Sequence, residues 1–132
     1  MSRPAATTLG VLLATLWISL NEFLRNELFF KDHWTDHFTA LGLDFPDATV
    51  NNMVWALWAL AFAVLLRALA CRFNLGQTAA AGWLAGFVLM WLTIGNLGVL
   101  PLDLLPVAVP WSLVETYGAA WIIHTLLRRA QG

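Results

Sequence analysis

A carboxylate, a guanidinium and an amide stand together in a stretch otherwise suited to lipid. Residues 9–20 are almost wholly apolar, and Asn21, Glu22, Arg25, Asn26 and Glu27 follow directly. At about 100° per residue, Glu22, Arg25, Asn26, Phe29, His33, Asp36 and His37 fall within roughly ±60° of one line. Thr8, Thr15 and Ser19 extend that line backwards. Ionisable groups in a lipid-spanning helix are costly and normally face a protein interior or a water-filled cavity. Arg25 can pair with Glu22 one turn away, and its fork of donors can serve a second carboxylate too.

Glu115 is the second carboxylate expected there. With Asn51, Asn52 and Asn96 it completes a set of polar residues at one depth, one or more from each apolar segment. Ser112, Gly118 and Ala119 share the Glu115 face of their helix, and His124 points the opposite way. Two carboxylates sharing one guanidinium leave one acid in excess, which a proton or an external cation must balance. The competing reading is a structural network that fixes helix packing and binds nothing.

Asp32-His33-Trp34-Thr35-Asp36-His37 is a weaker candidate. It places two imidazoles at i, i+4 with Asp36 between them, the spacing that metal sites use on a helix. No third histidine or cysteine lies on that side, so a divalent metal is expected to bind weakly at best, and no cofactor is predicted. His33 is eleven residues from Glu22, about 16 Å along a continuous helix, which makes two sites and not one. Glu27 and Lys31 form a favourable i, i+4 surface pair. There is no GxSxG, HExxH, P-loop or dinucleotide fingerprint.

The elements that carry these residues follow from hydropathy. Of 132 residues, 60% are hydrophobic and 11% charged, and mean hydropathy is +0.71. So much apolar side chain needs lipid over much of its surface. Four segments reach spanning length, at about residues 8–30, 50–70, 78–100 and 111–127. The fold expected is an all-α integral membrane bundle of four helices in a single domain, residues 1–132. Residues 31–44, amphipathic and aromatic, continue helix one or lie on the interface. Gly42 and Pro46 break the chain, and Asp47 or Thr49 can cap the next helix. Gly82 and Gly86 have the spacing that lets helices approach closely. Pro101, Pro106 and Pro110 predict a hydrophobic outer loop over 101–110.

Charge gives the orientation. Arg3, Arg67, Arg72, Arg128 and Arg129 sit at one set of ends, and the opposite loops offer only Lys31. The positive-inside rule puts both termini in the cytoplasm. Trp34 and Trp111 then mark the outer interface and Trp83 and Trp121 the inner one, with Trp17, Trp58 and Trp91 packing at mid-depth. The first span is expected to stay uncleaved, because no small-x-small site follows it. A formal net charge of −1 without a basic run argues against nucleic acid. The single cysteine, Cys71, excludes an internal disulfide.

Three stretches, Asn21-Glu22-Phe23-Leu24-Arg25-Asn26-Glu27, Asn52-Met53-Val54-Trp55-Ala56-Leu57-Trp58 and Ile94-Gly95-Asn96-Leu97-Gly98-Val99-Leu100-Pro101, carry a family resemblance. In them the chain resembles small four-helix proteins of bacterial inner membranes that have no assigned activity. The resemblance implies a bacterial plasma membrane and transfers no catalytic residue. Three functions stand. The first is a binding or accessory component with an outward-facing polar pocket, its partners being the bilayer and a second copy or a larger membrane complex. The second is a transporter or channel subunit for a proton, cation or small solute. The third is a membrane enzyme with Glu22 or Glu115 as general acid–base and Arg25 as anion clamp.

Overall fold

The computed structural model describes residues 1–131, and all regular structure among them is helical. Three helices are long and apolar enough to cross a membrane: α1 (Arg3–Phe29), α3 (Thr49–Leu69) and α4 (Leu75–Asn96). Between the first two lies the short α2 (Lys31–Ala40), and α5 (Leu105–Arg129) closes the chain.

Local chemistry explains most of the boundaries. Ser2 caps α1, with Pro4 in the first turn, where a missing N–H costs nothing. Phe30, at φ −124° and ψ 15°, separates α1 from α2. Gly42, at φ 73°, ends α2 in a Schellman turn, with Leu43 N–H bonding to Phe38 C=O and Gly42 N–H to Thr39 C=O. Gly98, at φ 76°, ends α4 the same way. Helix α4 starts earlier than hydropathy suggests, because Asn74 and Gln77 form a reciprocal capping box. Neither expected cap serves α3. Ala48 is its N-cap, and Asp47 turns instead to Lys31 at 3.7 Å.

The loop expected over 101–110 is largely helix. Leu102–Leu104 form a 3₁₀ turn and α5 begins at Leu105. Pro106 falls in the first turn, and Pro110 is absorbed one turn later. A proline early in a helix forfeits few bonds, and so three prolines do not prevent this one.

Helix α5 is the central element. It buries nine residues, among them Ala108, Ser112, Glu115, Thr116, Ala119 and His124. Helix α3 buries only Ala59, Phe62, Ala63 and Leu66. The core joins Ala14 and Ile18 of α1 to those α3 residues, Phe87 of α4, and Ala119 and Ile123 of α5. Alanine and glycine at the crossings let the backbones close up. A Cβ on Gly82 or Gly86 would meet Leu66 at 2.3 Å or Phe62 at 2.6 Å, which places that glycine pair against α3. Outward-facing Leu12, Leu16, Leu20, Val54, Leu57, Leu84 and Leu92 are exposed, an apolar coat suited to lipid and not to water.

Two helices change pitch. Phe23–Phe29 of α1 and Leu84–Val88 of α4 are π-helical. Such segments widen a turn, re-aim its side chains and concentrate at functional sites.

Candidate functional site

The two π segments meet at Arg25. Its Cζ lies 5.4 Å above the centroid of the Phe87 ring, so one widened turn supplies the cation and the other its aromatic floor. Phe87 is itself held in a run of rings between α3 and α4. Trp58, Phe62 and Trp91 touch it at centroid distances of 5.7, 5.7 and 5.6 Å.

The Arg25 guanidinium, 5% exposed, divides between two carboxylates. Nη2 pairs with Glu22 Oε1 on the same helix, and Nη1 donates to Glu115 Oε2 on α5 at 2.9 Å. Glu22 also accepts from Asn26 Nδ2 at 2.9 Å, and Asn26 Oδ1 accepts from the Trp34 indole at 3.1 Å. Glu115 is wholly buried. Its Oε1 has no hydrogen-bond partner among the described residues, nor has the hydroxyl of the neighbouring Thr116. The expected trio of Glu22, Arg25 and Glu115 is therefore assembled, with Asn26 behind it.

The asparagines of the other helices stay apart. Asn51 is half-buried and Asn52 and Asn96 are exposed, and none makes a side-chain hydrogen bond among the described residues. Depth brought them into the expected set. A shared depth does not turn a side chain inward.

Tryptophans supply what those asparagines do not. Trp17 Nε1 donates to Glu115 C=O at 2.9 Å, and Trp111 Nε1 to Asn21 Oδ1 at 3.0 Å. Asn21 Nδ2 returns to Trp17 C=O at 2.8 Å, closing a ring of bonds between α1 and α5. Trp83, expected at the inner interface, packs against the core and donates to Ser112 Oγ at 2.8 Å. The signal was available in principle: an indole N–H buried at mid-depth needs an acceptor.

The histidine pair separates. His37 Nε2 lies 2.8 Å from Gly98 C=O, and His33 Nε2 lies 3.8 Å from Asp103 Oδ2, both partners in the α4–α5 connection. Asp36 is exposed. Among the described residues, no three His, Cys, Asp or Glu side chains gather as a metal site. These contacts lay α2 against the α4–α5 connection. Phe38 and Trp34 both pack on Phe45 of the following loop, 5.3 and 6.2 Å between centroids.

His124 does point away from Glu115, as its nine-residue offset requires. That side is covered by α4, and His124 is buried against Thr78 Oγ1 at 3.1 Å. Comparison with protein-family models, curated proteins and solved structures finds no match.

Proposed function

We propose that the chain is a four-span integral protein of a bacterial inner membrane, with both termini cytoplasmic. It acts as a binding or accessory component whose outer-leaflet cluster holds one proton or small cation. The single observation that carries the reading is Glu115. One oxygen takes Arg25 and the other is buried without a partner among the described residues, in a cluster with two acids and one base. A buried charge left unbalanced is costly, and a proton or cation at this oxygen removes the imbalance. Helix α5, at 25 residues, is about 38 Å long and reaches across a hydrocarbon core of roughly 30 Å. Its buried polar residues, Ser112, Glu115, Thr116 and His124, face α1 and α4 and not lipid, and they lower its hydropathy below that of the other three.

Infrared difference spectroscopy of the full chain in nanodiscs tests this. A protonated-carboxyl band that disappears in Glu115→Gln identifies the proton. Calorimetric binding of sodium or methylammonium that disappears in the same variant identifies the cation. Neither signal at any pH from 5 to 9 overturns the reading.

Transport is the second reading, and Thr78 and His124 favour it, because they carry buried polarity toward the arginine-rich end. The helix geometry weighs against it. Glu115 and His124 are half a turn out of phase and about 14 Å apart along α5. Ala119, Ala120 and Ile123 fill the space between them and are wholly buried. A continuous polar path would have to cross that packed layer. Proton flux in proteoliposomes abolished by both Glu115→Gln and His124→Ala would reverse this preference.

A further inference from the structure

All eight acidic side chains of the chain fall at Glu22–Asp47, Asp103 and Glu115, whereas five of its seven basic side chains belong to the opposite end of the bundle. The fold does more than segregate them. Arg3 from the start of α1, Arg67 from the end of α3 and Arg128 from the end of α5 line one pocket of about 280 Å³. His124, Asn74 and Gln131 add polar atoms to a wall otherwise formed by Cys71 and apolar side chains, and among the described residues no acidic side chain lines it.

The state of Arg67 shows what is missing. Its guanidinium is part-buried, and Nε and Nη2 both donate to the Thr7 hydroxyl, at 3.2 and 3.1 Å. Its Nη1 turns to the sulfur of Cys71, a weak acceptor. No arginine at this end lies within 4.0 Å of an acidic side chain among the described residues. A half-desolvated guanidinium held by one hydroxyl and one thiol, with two more guanidinium groups on the same wall, is short of an anion. Planar forks of this kind match phosphate oxygens two at a time. The volume lies just under the lower edge of the roughly 300–1,000 Å³ of sites for drug-sized molecules, room enough for a phosphate headgroup.

We propose that this pocket binds a phosphate anion, presented by the headgroup of an anionic phospholipid or as free phosphate. Arg67 and Arg128 grip the phosphate oxygens, and Arg3 covers it from the start of α1. The chemistry is the same from either source and does not depend on the charge cluster around Glu115.

The test uses the full chain in micelles of an uncharged detergent. Phosphatidylglycerol and phosphatidylcholine are titrated in and retention is read by native mass spectrometry. Inorganic phosphate is titrated separately, with binding read by calorimetry. Preferential retention of phosphatidylglycerol, weakened about tenfold or more by Arg67→Gln or Arg128→Gln, supports the lipid source. Phosphate binding lost in the same variants, without preference between the lipids, supports the free anion. Arg128 and Arg3 are exposed, so Arg128→Gln and Arg3→Gln decide the matter should Arg67→Gln fail to fold. Arg72 and Arg129 sit at the same end and do not line the pocket. Equal weakening in Arg72→Gln or Arg129→Gln would mean a diffuse field and overturn the site. Absence of binding by both probes would do the same.

Discussion

At the scale of single residues, Arg25 decides the most. It joins α1 to α5 through Glu115, lies on Phe87 of α4, and neutralises Glu22 beside it. Removing one partner of a buried ion pair costs about 3–5 kcal/mol, because the remaining charges are left without solvent or counter-ion. Arg25→Ala is expected to destabilise by about that much, measured by thermal or denaturant unfolding in detergent. Glu115→Gln should recover part of the loss by removing the acid that Arg25 leaves behind. Strictly additive effects in the double variant would mean the two do not interact. Glu27→Ala should cost far less. Its partner Lys31, 2.9 Å away, lies at the surface, where solvent screens the pair. Hydrogen bonding to Glu27 raises the Lys31 pKa above its ordinary value. That contribution is complete below about pH 10.4 and is lost only as pH rises through the raised value. At His33 and His37 the expected outcome is negative. Elemental analysis of protein purified without a histidine tag should find no stoichiometric metal, and a metal lost in His33→Ala would show that the two rings come together in solution.

At the scale of the helices, glycines separate positions where packing dominates from those where propensity does. A Cβ on Gly118 would lie 2.6 Å from Nε1 of Trp17, the same nitrogen that donates to Glu115 C=O. A helical Gly→Ala exchange gains about 1 kcal/mol of propensity, whereas overpacking costs about 1–3 kcal/mol. At Gly118 the displaced ring also loses its hydrogen bond, so Gly118→Ala should destabilise, with a shift in tryptophan emission. At Gly10 the nearest atom would be 3.7 Å away, ordinary contact, and Gly10→Ala should be neutral or stabilising in the same assay. Opposite signs at two interior glycines of the α1–α5 crossing are the expected result; equal signs would mean that this crossing is looser than the packing indicates. The same crossing shows what the sequence makes legible. Glu22, Arg25 and Glu115 could be brought together from depth and periodicity alone, because charge in lipid has few places to go. The π segments could not, since an i→i+5 turn leaves no mark in residue type and shifts every later side chain around the helix. His124 was readable in direction but not in surroundings. Its face meets protein because α5 is central, and centrality is a property of the assembly.

At the scale of the whole molecule, charge asymmetry is the feature that sequence and fold share. The arginines that hydropathy puts at alternate segment ends are brought together in space, with Arg3, Arg67 and Arg128 around one pocket. At the other end Lys31 lies beside Asp47 and His33 beside Asp103. A bundle built this way has a basic face and an acidic face. Retention of positive charge on the cytoplasmic side acts on loops this short, so the basic face is expected inside and α2, with the loop to α3, outside. Membrane-impermeant maleimide labelling of intact cells checks this directly. The background is Cys71→Ser, because the native thiol is exposed at the arginine end and would react there once the membrane is opened. In that background Asp44→Cys should label from outside, and Gln131→Cys only after permeabilisation. Labelling of Gln131→Cys in intact cells would turn the molecule over. The Glu115 cluster would then face the cytoplasm and the arginine pocket the outer leaflet, each with its local chemistry intact but supplied from the other side.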